Sequence, residues 1–249
     1  MMPFWIALQF LTVFPIQLKQ MPSKQQNGQS LLFYPVIGLG IGLVLYTIAL
    51  GLSALPSMLL SSLILVIWIW LTGGLHLDGL ADTADAWVGG FGDKERTLKI
   101  MKDPACGPIG VLSLIIVCIL KWSAIYVLLE KQYVQALILF PMLGRLVPLF
   151  LFLTTDYVRE KGLGSSIANY IPKMISIIVA CLSLSLFAYF SWLGLGCIMI
   201  SILILLYLRQ QFIRRIDGIT GDTVGASIEL VEMVAILSFV VLSFYIRAY

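Results

Sequence analysis

The sequence predicts an all-α, polytopic membrane protein with about seven transmembrane helices, preceded by an N-terminal interfacial or re-entrant segment. Three observations carry that prediction. Of 249 residues, 60% are hydrophobic and 12% charged, roughly half the charged share of a soluble domain. Several apolar runs approach the ~20 residues that a helix needs to cross hydrocarbon. The cations fall almost entirely on one side of those runs.

The runs place candidate spans at 31–52, 56–72, 108–129, 133–153, 174–192, 195–208 and 228–246. The sixth is short, and reads as tilted, partial or fused with its neighbour. Ahead of them, Phe4 to Leu18 is apolar but interrupted by Gln9, Thr12 and Pro15. It lacks the basic start and small-residue cleavage site of a signal peptide, so an interfacial or re-entrant segment is expected. No polar stretch is long enough for a separate soluble domain, and 1–249 reads as one integral-membrane domain. Cys106, Cys118, Cys181 and Cys197 form no C-x-x-C pair, and three lie in apolar runs. They read as packed free thiols. With a net charge of +3, the expected partners are the bilayer and small molecules, with no nucleic acid.

Seven spans leave the N-terminus, 73–107, 154–173 and 209–227 on one side. Those segments hold twelve of the sixteen Lys and Arg residues, against two, Lys131 and Arg247, on the other. The positive-inside rule assigns the richer side to the cytoplasm. The long loops all lie there, so chemistry is expected on that face.

"GGLHLDGLADTADAW", residues 73–87, holds the chain's one histidine, His76, and three of its thirteen acids, Asp78, Asp82 and Asp85. Spacings of i, i+4 and i+7 put the three carboxylates within an arc of about 60° on a helix. Like charges so placed repel one another and need a compensating cation. A hard divalent ion such as Mg²⁺ takes carboxylate oxygens and commonly bridges them to substrate phosphates. Gly73, Gly74 and Gly79 suit close approach of a bulky ligand to the backbone. Lys94, Arg96, Lys99 and Lys102 follow and suit phosphate oxygens. The plain alternative is a solvated helix whose acids face water. His76 reads as a ligand, a proton carrier or an interfacial histidine.

A second cluster, "RRIDGITGDTVGASIELVEM" at 214–233, repeats the i, i+4, i+7 pattern with Asp222, Ala226 and Glu229. "TGD" reads as a helix start with Asp222 near the N-cap. Acids within a membrane helix usually face a partner or a wet cavity. The expectation is that this cluster meets the first across a shared cavity. The alternative is that its glutamates snorkel from a helix end. Arg145 and Lys121 are isolated cations inside apolar runs; Arg145 is expected to meet an anionic ligand or a carboxylate.

These features point to Mg²⁺-assisted phosphoryl transfer on an amphiphilic, phosphorylated substrate. A cation-coupled transporter is the other class considered. It is disfavoured because the acids cluster at span edges and no repeat is visible.

The stretch "GGLHLDGLADTADAW" resembles the signature of the cobalamin synthase family, the adenosylcobinamide-GDP ribazoletransferases. The likeness extends to "FLTVFP" at 10–15, "FYPVIGLGIG" at 33–42, "ERTLKIMKDPACGPIGV" at 95–111, "LGR" at 143–145 and "GDTVGASIELVE" from Gly221 to Glu232. It covers nearly the whole chain. The resemblance implies a multi-pass enzyme of the cytoplasmic (inner) membrane that needs Mg²⁺. It implies transfer from adenosylcobinamide-GDP to α-ribazole or α-ribazole 5′-phosphate. Adenosylcobalamin or its 5′-phosphate forms and GMP is released. A second copy of the chain, or other enzymes of the corrinoid pathway, are the protein partners it leaves open.

On that resemblance, Asp78, Asp82 and Asp85 are expected to hold Mg²⁺ on the diphosphate. One of them is a candidate base, and His76 a further catalytic candidate. Asp222 and Glu229 complete the metal or nucleophile site. Arg96, Lys102, Asp103, Arg145, Arg214 and Asp217 are candidates for substrate binding. CDP-alcohol phosphotransferases share this chemistry, but their D-x-x-D-G-x-x-A-R pattern is not met: Gly79 follows Asp78 directly, and no Ala-Arg follows.

Overall fold

The computed structural model describes residues 1–18, 20–160 and 162–246, which are helical with no strand among them. Helix α1 spans Met2–Leu11, and α2, Lys24–Ser30, runs through a 3-10 turn into α3, Tyr34–Gly51. Then come α4, Ser57–Thr72, α5, Leu75–Gly89, α6, Lys94–Ile100, and α7, Pro108–Glu130. A 3-10 turn at Val134–Ile138 leads into α8, Leu139–Thr154, followed by α9, Leu163–Tyr170. Helix α10, Lys173–Ser185, continues through a 3-10 turn into α11, Ser191–Ile216, and α12, Gly221–Tyr245, closes the fold.

Five helical stretches are long and apolar enough to cross a membrane: Lys24–Gly51, Pro108–Glu130, Val134–Thr154, Lys173–Ile216 and Gly221–Tyr245. Helices α4 and α5 make a sixth when counted as one bent pair. The expected count of about seven is not reached on this criterion, because the spans expected at 174–192 and 195–208 form one helical run of 44 residues. At 1.5 Å per residue a straight run of that length would extend about 66 Å, twice the hydrocarbon thickness. Ser191, with φ of 49°, interrupts it. Lys173, Ile177 and Leu184 line a cavity of about 470 Å³ together with Ser201 and Leu205. Helix α11 therefore turns back to face α10 across this cavity.

Helix α1 has 10 residues, too few to span, in keeping with the interfacial or re-entrant segment expected there. Its chain is tied down just beyond the helix, where Val13 N–H donates to Leu71 O of α4 at 2.9 Å. The centre of the bundle is α8, buried at every position from Leu139 to Leu149. Helix α3 lies hard against it: a Cβ on Gly42 would come within 2.2 Å of Ile138 O. Helix α12 covers another side of α8 and is itself buried along most of its length.

The functional geometry begins at the end of α4. Gly73 and Gly74 both adopt left-handed φ, 63° and 68°, a conformation that costs glycine little. They end α4 and turn the chain by 88°. Helix α5 thus leaves the span direction and runs across the start of α12. These glycines, expected to admit a ligand, make the turn. Gly79 admits a helix: a Cβ there would lie 2.8 Å from Asp222 O.

Candidate active site

Helix α5 carries the acids and α12 supplies their neighbour. Helix α12 is started by Thr220, whose hydroxyl accepts from Thr223 N–H while the Thr223 hydroxyl accepts from Thr220 N–H, a capping box that satisfies two otherwise orphaned donors. The cap is thus Thr220, and Asp222 stands in the first turn behind it. Because Gly79 and Gly225 let the helices cross closely, Asp222 sits beside Asp78, and both line a cavity of about 320 Å³. The expected meeting of the two clusters across one cavity is realised through this pair.

Partial burial raises the Asp82 carboxyl to about 6, and the neighbouring Asp78, Asp222 and Asp85 carboxylates add to the rise, with Arg159 offsetting part of it. The site therefore carries more negative charge than its own cation balances, and its donors are the hard oxygens that Mg²⁺ takes. Among the described residues, no three His, Cys, Asp or Glu side chains close into a metal cage. The donor set fits an ion that keeps waters and takes further oxygens from a phosphorylated substrate.

Asp85 stands apart from Asp78 and Asp82. Its Oδ2 accepts from Gly107 N–H at 2.7 Å and its Oδ1 from Gly110 N–H at 2.8 Å. It anchors the start of α7, where unpaired N–H groups and the helix dipole favour an anion. A Cβ at Gly107 or Gly110 would lie 2.6 or 2.4 Å from this carboxylate, which accounts for both glycines in "DPACGPIGV".

Glu229 is also engaged elsewhere. Its Oε2 accepts from Lys121 Nζ at 2.7 Å, and the same ammonium donates to Glu232 Oε2 at 2.6 Å. Arg145, fully buried, pairs through Nη1 with Glu232. Lys121 also sits 4.5 Å over the Trp68 ring. Two cations and two carboxylates thus balance within the bundle, as buried charges require. Arg145 has the carboxylate partner that was one of its two expected roles, and it does not line the cavity. Its Nη2 lies 3.5 Å from His76 Nδ1, which ties the charge network to α5. His76 is buried and lines the cavity.

The remaining sequence candidates lie outside that cavity lining. Arg96 is exposed over the Phe91 ring at 5.0 Å, on α6. Lys102 and Asp103 are exposed beyond α6, with Asp103 Oδ1 accepting from Ala105 N–H at 3.0 Å. Arg214 is exposed near the end of α11. Asp217, left-handed at φ 60°, pairs with Lys94 at 2.6 Å and joins α6 to the end of α11.

Sequence reasoning missed Tyr157 and Arg159. Both line the cavity, and Arg159 Nη2 donates to Asp222 Oδ2 at 2.5 Å. Their segment is held by a parallel bridge to the start of α12: Ile219 N–H donates to Asp156 O and Val158 N–H to Ile219 O, both at 2.9 Å. Gly218 allows this, since a Cβ there would lie 2.3 Å from Asp156 O. The available signal was a tyrosine and an arginine just before the glycines of "DYVREKGLGSS", of which the charge count uses only the arginine.

Residues 3–240 match the family model described as cobalamin-5-phosphate synthase. The chain belongs to the cobalamin-5-phosphate synthase family. It is 59% identical to an adenosylcobinamide-GDP ribazoletransferase of Acinetobacter baumannii, over 99% of this chain and all of that one. It is 47% identical to the enzyme of the same name from Pseudomonas fluorescens, covering 94% and 96% of the two chains. No solved structure matches. Membership in the cobalamin-5-phosphate synthase family supports the ribazoletransferase reading over the CDP-alcohol phosphotransferase and transporter alternatives.

Proposed function

We propose that this protein is a membrane transferase that joins adenosylcobinamide-GDP to α-ribazole or its 5′-phosphate, giving adenosylcobalamin or its phosphate and GMP. The observation that carries the reading is that Asp78 and Asp222 line one cavity, with the Asp82 carboxyl near enough to be raised by both, in a chain alike along its whole length to ribazoletransferases.

In this reading the ribazole 3′-hydroxyl oxygen forms a bond to the phosphorus attached to the cobinamide arm. The diphosphate P–O–P bond breaks, and GMP leaves with the bridging oxygen. Asp82, whose carboxyl is raised to about 6, is positioned in pKa to take the hydroxyl proton. Asp78 and Asp222 are the residues that would hold Mg²⁺. A divalent ion there supplies charge neutralisation for the diphosphate and the departing phosphate. Arg159 holds Asp222 in place and offers a second cation to the phosphates. Asp85 and the Lys121–Glu229–Glu232–Arg145 network hold α5, α7, α8 and α12 in register behind the site.

The cation asymmetry of twelve to two supports a site facing the cytoplasm, in the inner membrane. The testing experiment mixes adenosylcobinamide-GDP and α-ribazole with the protein in lipid nanodiscs, with and without Mg²⁺. Mg²⁺-dependent GMP release is expected. No GMP, with Mg²⁺ present and the protein folded, contradicts the proposal.

A further inference from the structure

Of the 13 residues of α10, only Ser176 is buried. The far end of the helix is nonetheless fixed. Phe187, in the 3-10 turn beyond it, is buried, and Gly194 of α11 packs so closely that a Cβ there would collide with Phe187 O. Before that vertex, α10 and α11 face one another across the cavity of about 470 Å³, with α8 forming another wall. The lining runs from Leu143 to Thr154 on α8 and from Lys173 to Leu184 on α10. Each stripe covers about 16 Å at 1.5 Å per residue. That is one leaflet, half of the ~30 Å of bilayer hydrocarbon.

The walls are almost wholly apolar, formed by Leu146, Val147, Phe150, Ile177, Ala180 and Leu205 among others. Charge stands at one end, where Lys173 and Thr154 line the cavity. Arg209 of α11 is fastened to the same end. Its Nε donates to Thr155 Oγ1 at 2.9 Å and to Thr154 Oγ1 at 3.1 Å, and its Nη2 donates to Thr154 O. Among the described residues Nη1 has no partner, and neither Lys173 nor Arg209 is paired with a carboxylate. Thr154 and Lys173 flank the segment that carries Tyr157 and Arg159, so this is the end nearest the acids.

We infer that this cavity binds one phospholipid of the leaflet nearest the acids, with an acyl chain lodged between α8, α10 and α11 and an anionic headgroup held by Lys173 and Arg209. Size selects a chain. Over about 16 Å the volume leaves a cross-section of about 30 Å², against about 80 Å² for a helix about 10 Å across. A helix of a second copy does not fit, and a polar metabolite finds no partners along the walls. Charge selects the headgroup. A tail gains little by exchanging lipid for an apolar protein wall, so the preference comes from phosphate oxygens meeting an ammonium and a guanidinium. The lodged chain supplies the packing that α10 lacks from protein. The opposite face of α8 borders the active-site cavity through Pro148 and Phe152, which puts the lipid one helix away from the acids.

The test places the full chain in nanodiscs of equimolar phosphatidylglycerol and phosphatidylcholine and counts the lipid retained in detergent by native mass spectrometry. One phosphatidylglycerol per chain is expected, favoured over phosphatidylcholine about tenfold, the scale of two cations at a charged surface. Lys173→Gln alters an exposed residue and should lower that preference severalfold. Ala180→Phe, whose ring takes the space of the chain, should lose the lipid. Phosphatidylglycerol with a diazirine on its acyl chain should label Ile177–Leu184 and Ile202–Leu205 on photolysis. Equal retention of the two lipids overturns the inference, whether or not Ala180→Phe folds. So does a preference unchanged in Lys173→Gln, label spread evenly over α4 and α7, or a stable dimer that shields α10 from label, which would make this face an interface between copies. These measurements use no substrate, so their failure leaves the ribazoletransferase reading intact.

Discussion

The Asp85 carboxylate accepts the Gly107 N–H at 2.7 Å and so caps α7 from a different helix. Asp78, Asp82 and Asp85 share one helix face and a motif, yet the third is committed to backbone donors. Asp85→Ala leaves the Gly107 and Gly110 N–H groups without their acceptor. It is expected to destabilise the protein by about 1–3 kcal/mol and to lower its melting temperature in detergent. Divalent-ion affinity per folded molecule should stay near wild type. A large loss of ion affinity with unchanged stability contradicts this division of roles.

Arg145 and Glu232 are both fully buried and paired. Removing one partner strands a charge inside the bundle, at a cost of about 3–5 kcal/mol. Glu232→Gln and Arg145→Met should each lower stability by that order. The double variant should be markedly less damaged than the sum of the two, because Lys121 and Glu229 remain paired at 2.7 Å. Chemical denaturation of all three proteins in one detergent measures the difference.

The Asp82 carboxyl is raised to about 6 from its ordinary value of 3.8. A raised carboxyl contributes stability that is fully present below pH 3.8 and is lost as pH rises through about 6. The metal-free protein should therefore grow less stable across that window, once other groups are accounted for by an Asp82→Asn control. Mg²⁺ favours the ionised form, so binding near pH 6 should release protons. Titrations in two buffers of different ionisation enthalpy read this directly. Binding without proton release in that range would separate Asp82 from the ion.

Gly79 sets how closely α5 crosses α12. Its added Cβ would meet Asp222 O at 2.8 Å, and backbone cannot yield as a side chain can. Gly79→Ala should move Asp222 away from Asp78 and reduce turnover by tenfold or more, while the protein still inserts and remains folded. Wild-type turnover in this variant would show that the crossing distance does not govern the site.

The elements that were legible in the sequence are those written locally. The i, i+4, i+7 spacing placed the aspartates on one helix, and "TGD" marked the start of α12. The apolar runs located the spans, except that a 3-10 turn links two of them into one helical run, interrupted at Ser191. The illegible parts depend on partners far apart in the chain. Glu229 and a metal-binding glutamate look identical from sequence; the decision comes from Lys121, 108 residues away. Arg145 could have met phosphate or carboxylate, and Glu232 decides it from 87 residues away. Arg159 joins the site because Gly218 admits the Asp156 backbone, a contact with no periodic signature.

The most direct test of the central claim is GMP release from adenosylcobinamide-GDP and α-ribazole by Asp82→Asn in nanodiscs, measured beside the wild type with Mg²⁺ present. The account predicts a loss of at least about a hundredfold, with the variant folded and as stable as the wild type or more so. Near-normal turnover by folded Asp82→Asn would contradict it.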